Sequence, residues 1–202
     1  LHYSTDYVFA GDGRAAYRET DVTAPLGAYG RSKLAGEQAL AASGAAHIIV
    51  RTAWVYAARG HNFLLSMLRL ARERDELRVV ADQIGAPTPA GLIAHASAAM
   101  LAQWLVLDST ERKALGGLYH LTSAGQASWF EFATAIVTGA QRIGLLERAP
   151  TVVPITSAQY PTPAQRPAWS VLDCAHVQSR FGLHLPAWQT GLDSVLIDLR
   201  TS

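Results

Sequence analysis

Tyr29-Gly30-Arg31-Ser32-Lys33-Leu34-Ala35-Gly36-Glu37, followed after a short polar break by His47-Ile48-Ile49-Val50-Arg51-Thr52-Ala53-Trp54-Val55, decides the fold. Leu34, Ala35, Ala39 and Leu40 recur among good helix formers and predict a helix over residues 29 to about 42. The apolar run that begins at His47 predicts a strand to Val55. Upstream, residues 1–9 read as the end of a buried strand running into a turn, and residues 11–27, rich in Gly, Asp, Thr and Pro, as a loop. Strand, loop, helix, strand is the order of a parallel α/β sheet.

Beyond it, Phe63, Leu64, Met67, Leu68 and Ala71 fall on one face of a helix predicted over residues 62–74, with Arg69, Arg72 and Glu73 toward water. A short strand follows at 77–80, an extended crossing at 84–89, a largely apolar helix at 91–107 and a strand at 117–121. Ser128-Trp129-Phe130-Glu131 has the spacing of a capping box and opens a helix to about Arg142. Residues 150–170 carry five of the nine prolines and read as irregular; two short helices near 173–181 and 187–200 finish the chain.

Half of the 202 residues are apolar, ample for a buried core. Seventeen basic against sixteen acidic residues leave no extended field to attract nucleic acid or an anionic membrane, so neither is expected as a partner. No apolar stretch approaches the roughly 20 residues of a membrane span. The single cysteine, Cys174, excludes an internal disulfide, fits a reducing cytoplasm and reads as a small core residue. His47, His61, His95 and His120 are scattered without metal-ligand spacing and read as structural or solvated; no metal is expected. The chain opens at Leu1-His2-Tyr3 as though already inside a strand, with no initiator Met and no signal-peptide pattern, and is expected to be a fragment.

Chemistry concentrates at Tyr29 and Lys33. Residues four apart on a helix lie one above the other, so phenol and ammonium share a face. A free tyrosine titrates near 10, and a neighbouring cation favours its phenolate, which prepares it to give a proton to a forming alkoxide. Seven tyrosines and two lysines make a chance Tyr-x-x-x-Lys rare, with roughly 0.07 expected. Fifteen of the basic residues are arginine, so each of the two lysines is informative, a candidate for a place where the ammonium itself matters. Upstream, Ser4, Thr5 and Asp6 stand at the end of the first strand, the edge where parallel sheets bind ligands; a hydroxyl there can orient a carbonyl or simply satisfy turn amides. Trp54, after an apolar strand, can be a ligand contact or core packing.

Ser-Thr-Asp-Tyr-Val-Phe at 4–9, Glu19 and Asp21 before Pro25, and Tyr-Gly-x-Ser-Lys-Leu-Ala-Gly-Glu at 29–37 resemble the dTDP-4-dehydrorhamnose reductase family of extended short-chain dehydrogenases. Arg51 to Tyr56, Asn62-Phe63, Asp82 to Thr88, Arg166-Pro167 and Ser170 to Asp173 continue the likeness, densely to residue 90 and loosely after it. The resemblance implies the C-terminal part of a Rossmann-type doubly wound parallel sheet over residues 1–60, with a smaller α/β substrate-binding domain mainly in 61–202 and segments of it returning to the sheet. It implies a catalytic triad of Tyr29, Lys33 and Thr5, cofactor contacts at Tyr3, Tyr29 and Lys33, and substrate contacts at Thr5, Asp6 and Trp54. The implied reaction is reduction by NADPH or NADH of the 4-keto group of dTDP-4-dehydro-6-deoxy-L-mannose, giving dTDP-L-rhamnose. Some members bind magnesium at a dimer interface through glutamates, but no local motif carries such ligands over.

The glycine fingerprint of the dinucleotide pyrophosphate is absent, which agrees with the fragment reading. A non-catalytic regulatory subunit of the methionine adenosyltransferase type has a similar pattern, but it has no chemical need for the Tyr–Lys pair. A reductase or epimerase acting on another nucleotide sugar fits the pair equally. The apolar helix face around Phe63, expected to be exposed, fits packing onto an absent half of the protein as easily as a homodimer.

Overall fold

In the computed structural model, which describes residues 1–201, the strand, loop, helix and strand unit supplies two strands of a three-stranded parallel sheet. Strand β1 (His2–Thr5) runs into a single 3-10 turn, Asp6–Val8, and a loop leads to helix α1 (Ala28–Ala42). Strand β2 (Ile48–Thr52) pairs with β1, setting Ser4 beside Arg51 and Thr5 beside Thr52. The expected strand over 47–55 breaks at Trp54, whose backbone is left-handed with φ +47°, and β3 (Val55–Tyr56) leaves the sheet.

β2 is buried along its length, and alternation sends its side chains to two faces. Ile48 and Val50 meet Ile93, Ala96 and Met100 of helix α3 (Ala90–Leu105) and Val177 and Phe181 of α6 (Ala175–Phe181). Burying side chains of this size is worth about 1.5–3 kcal/mol each, which makes this face the anchor of the sheet.

Helix α2 (Phe63–Glu73) starts at Asn62, whose side chain accepts from the Leu65 amide at 3.1 Å. Strand β4 (Glu76–Val80) follows, then the extended pieces β5 (Ile84–Gly85) and β6 (Thr88–Pro89), and α3 (Ala90–Leu105). Helix α4 (Ser109–Leu115) precedes β7 (Gly117–His120), which pairs with β2 and completes the sheet in the order β1-β2-β7. Strand β8 (Ala127–Ser128) pairs with β5 and leads into α5 (Trp129–Arg142) through the predicted capping box. Ser128 Oγ accepts from the Glu131 amide at 3.1 Å, and Glu131 Oε2 from the Ser128 amide at 2.7 Å. Strand β9 (Thr151–Ile155) pairs with β4, and α7 (Trp188–Thr201) ends the described chain. Leu64 and Leu68 of α2, Phe132 and Ile136 of α5 and Leu196 of α7 form a second core.

Three expectations are corrected. Residues 150–170 are not irregular throughout, since β9 pairs with β4 in register from Glu76–Thr151 to Val80–Ile155. Pro154 is tolerated there because a two-stranded sheet has an open edge where a missing N–H costs no partner. Helix α4 was not expected; its Asp108 and Glu111 form a capping box that makes so short a helix viable. The face around Phe63 is turned inward, its ring 4.6 Å from that of Trp129 and 5.6 Å from that of Phe132. No helix among the described residues is long and apolar enough to cross a membrane.

At the end of β7, His120 is fully buried, its Nδ1 bonded to the Tyr17 carbonyl at 3.0 Å and its amide to Glu19 Oε1 at 2.9 Å. Burial, and then the Arg51 charge, push its titration down to about 3. An unfolded chain takes up this proton near 6.5, so the unfolded state binds more protons between 6.5 and 3 and stability falls as pH drops through that window. The full shift corresponds to something on the order of 5 kcal/mol. We expect His120→Asn, which cannot charge, to lose less unfolding free energy than the parent between pH 7 and pH 4 in urea titrations. Parallel losses in the two proteins would disprove this.

Candidate active site

α1 begins hard against the turn after β1: a Cβ on Gly30 would sit 2.2 Å from the Tyr7 carbonyl oxygen, so only glycine permits the approach. The ring of Tyr29 stands edge-on to that of Tyr7 at 6.1 Å and is 58% exposed. Tyr29 and Lys33 line one cleft of about 390 Å³, together with Tyr3, Ser4, Thr52 and Ile93. The cleft opens at the carboxyl ends of β1 and β2, with α3 as its far wall. The structure thus brings together the predicted Tyr29, Lys33 and Tyr3. The Tyr3 hydroxyl donates to Ser97 Oγ at 2.8 Å, which ties the rim of the cleft to α3.

Thr5 and Asp6 are not among the residues lining that cleft. Both are buried, and the Thr5 hydroxyl donates to Asp6 Oδ1 at 2.9 Å while accepting from the Tyr7 amide at 3.2 Å. It caps the 3-10 turn in this state. Burial raises the Asp6 titration to about 6 against the opposing hydrogen bonds from Ser170 and Thr5, and Asp6 Oδ2 has no partner among the described residues. Sequence reasoning missed Thr52, a lining residue whose buried Oγ1 likewise has no partner among the described residues. Its signal was its place at the last position of a parallel strand.

Trp54 is half-buried and stacked on Trp129, with ring centroids 3.5 Å apart and planes 4° from parallel. Gly85 lies against the same indole: a Cβ there would fall 2.4 Å from Trp54 Cε2. Trp129 also lines a second cavity of about 360 Å³, with Arg74, Arg78, Gln83, Tyr160 and Arg166. Guanidinium groups beside aromatic rings suit a phosphorylated, planar ligand. None of these residues was singled out in the sequence as a ligand contact, because they meet only in the fold. Tyr7 lines neither cavity; burial and then Asp6 push its hydroxyl up in titration, Arg166 draws it down, and its ring stands edge-on to that of Tyr29. Among the described residues no group of three or more His, Cys, Asp or Glu side chains is placed to hold a metal ion.

The model of the RmlD substrate binding domain family matches residues 1–201. The chain is 49% identical to the dTDP-4-dehydrorhamnose reductase of Burkholderia thailandensis over 98% of its own length and 67% of that protein's. It is 44% identical to the Shigella flexneri protein of the same name, over 100% of this chain and 66% of the other. It therefore spans about two thirds of the length of the curated relatives it matches. The crystal structure of the Bacillus anthracis dTDP-4-dehydrorhamnose reductase in complex with NADP superposes with a TM-score of 0.83 at 36% identity, covering 98% of this chain and 64% of that one. A Bacillus cereus UDP-glucuronic acid 4-epimerase, at TM-score 0.74 and 18% identity, covering 99% of this chain and 60% of that one, shares the Rossmann-type fold alone.

Gly85→Ala should push the Trp54 indole off Trp129, at a cost of about 1–3 kcal/mol typical of overpacking. The expected outcome is loss of the exciton signal of the stacked indoles in circular dichroism with the helical signal retained. An unchanged exciton signal would show that Gly85 does not set the Trp54 position.

Proposed function

Because the chain belongs to the family of the RmlD substrate binding domain, we propose that it carries the catalytic groups of an NAD(P)H-dependent reductase that converts dTDP-4-dehydro-6-deoxy-L-mannose into dTDP-L-rhamnose. The observation that carries this reading is the placing of Tyr29 and Lys33, one helical turn apart, on the wall of a cleft at the carboxyl ends of two parallel strands. The names of the relatives support a reductase over a regulatory subunit.

A reduced nicotinamide, when bound, supplies the hydride. The Thr52 hydroxyl at the cleft, without a partner among the described residues, and the exposed ring of Tyr3 fit a ligand of that polarity and shape. Tyr29 gives its phenolic proton to the C4 oxygen as alkoxide develops there, and solvent returns the proton afterwards. Lys33 stabilises the resulting phenolate and bonds the nicotinamide ribose. Thr5 orients the carbonyl, exchanging its present bond to Asp6 for one to substrate. Trp54 contacts the sugar, and the arginine-lined second cavity takes the nucleotide diphosphate, supported by Trp129, which stacks on Trp54 and also lines that cavity. In this reading residues 1–60 serve mainly the dinucleotide and residues 61–202 mainly the substrate. That division is supported by a second cavity built wholly from residues after position 62. A cytoplasmic location belongs to the same reading, supported by the single Cys174.

Tyr29→Phe, in the full-length protein that carries these residues, should lower turnover at least ~100-fold with dinucleotide affinity unchanged, since general acid catalysis supplies about 10² to 10⁴. The assay is NADPH oxidation with the 4-keto dTDP sugar beside other 4-keto nucleotide sugars. Undiminished turnover would remove Tyr29 from the mechanism, and faster turnover of another sugar would reassign the substrate.

A further inference from the structure

Tyr29, Lys33 and Glu37 follow at four-residue intervals on α1 and so share a face. The first two line the cleft, while Glu37 is buried, 5% exposed, against the sheet. Arg51 of β2, 3% exposed, grips both of its oxygens, Nε to Oε1 at 2.9 Å and Nη2 to Oε2 at 2.6 Å. Ser4, itself a lining residue, donates its hydroxyl to Glu37 Oε1. The network therefore reaches from the cleft through α1 to the middle strand of the sheet.

A buried ion pair is a poor source of stability, because desolvation offsets most of the attraction. It does control where charges point. Lys33 carries a compact ammonium on a flexible stem, one turn from Glu37. Were Arg51 absent, the Glu37 carboxylate would be a buried anion whose nearest cation on α1 is Lys33. The other groups facing the pair are few. His120 of β7 lies near Arg51, whose charge adds to burial in lowering its titration, and His2 of β1 lies near Lys33 and Glu37, its titration lowered by burial and by Lys33 and raised by Glu37. Tyr7 faces Tyr29, with Asp6 and Arg166 beyond it, and Tyr3 borders the cleft. The α3 wall offers only Ala90, Ile93 and Ala94.

We propose that Glu37, Arg51 and Ser4 are positioning residues that act through Lys33: by engaging the one carboxylate on its helix face, they leave its ammonium directed to Tyr29 and the cleft. This rests on the reading of Tyr29 and Lys33 as the catalytic pair.

The test is a charge cycle in the full-length protein, read as the pH dependence of turnover. Arg51→Met should draw Lys33 toward Glu37, lower kcat ~10-fold with KM within about threefold, and move the alkaline limb of the profile up by roughly one pH unit. Glu37→Gln leaves the Arg51 charge uncompensated and should move that limb down. Glu37→Gln with Arg51→Met restores neutrality and should return the limb close to the parent position. Limbs that stay put in the single variants, or a double variant displaced as far as the worse single one, would overturn the proposal and leave a purely structural pair. If Arg51→Met does not fold, Glu37→Gln against the double variant gives the same decision. Tyr29→Phe separates the two levels. Full activity in that variant defeats the reading of the catalytic pair, whereas inactive Tyr29→Phe with unmoved limbs defeats the charge argument alone.

Discussion

The Arg51 guanidinium reaches α1 from the central strand of the sheet, and its two-pronged grip on Glu37 fixes the helix in depth and in rotation at once. One turn further up, Leu34 packs on the small cluster of Val8, Phe9 and Leu172; at the first turn, Gly30 closes on the Tyr7 carbonyl. Three contacts of different kinds, ionic, apolar and steric, thus hold one face of one helix. Tyr29 and Lys33 lie on the stretch so held, which is why two long side chains can share one wall of the cleft.

The loop before α1 is sewn to a distant part of the chain. The Tyr17 amide donates to the Val171 carbonyl at 2.8 Å, and the Asp173 amide returns to the Tyr17 carbonyl at 2.8 Å. The Trp169 amide donates to the Gly11 carbonyl at 3.0 Å, and its indole N–H to the Ala15 carbonyl at 2.8 Å. The segment carrying Arg166 is consequently registered against the elements that carry Tyr29, although 137 positions separate them. A ligand reaching from one cavity to the other meets two walls whose spacing is set by backbone hydrogen bonds.

What could be read in the sequence was local. The start of α2 at Asn62, the capping box at Ser128 and the Tyr29–Lys33 spacing each depend on residues within one helical turn, and each stands in the structure as expected. β9 was illegible because its evidence is its partner: Pro154 reads as a breaker until β4 is known to lie on one side and, among the described residues, no strand on the other. The same holds for the Trp54–Trp129 stack and for the arginines of the second cavity, which converge from separate elements. Glu37 was visible as a letter of a motif, but its burial and its guanidinium partner were not.

Gly30 bears on what can be moved between proteins. The five residues from Tyr29 to Lys33 look self-sufficient, since the phenol, the ammonium and the helix that spaces them all lie within them. Yet the glycine among them answers to a carbonyl on the far side of the loop, 23 residues earlier. Transplanted onto a helix without that turn, the pentapeptide would keep its glycine as a helix-weakening passenger and lose the surface that sets the tyrosine ring. The smallest portable module is the strand, the turn and the helix together. A designer who grafts less would be copying the spelling of the site without its grammar.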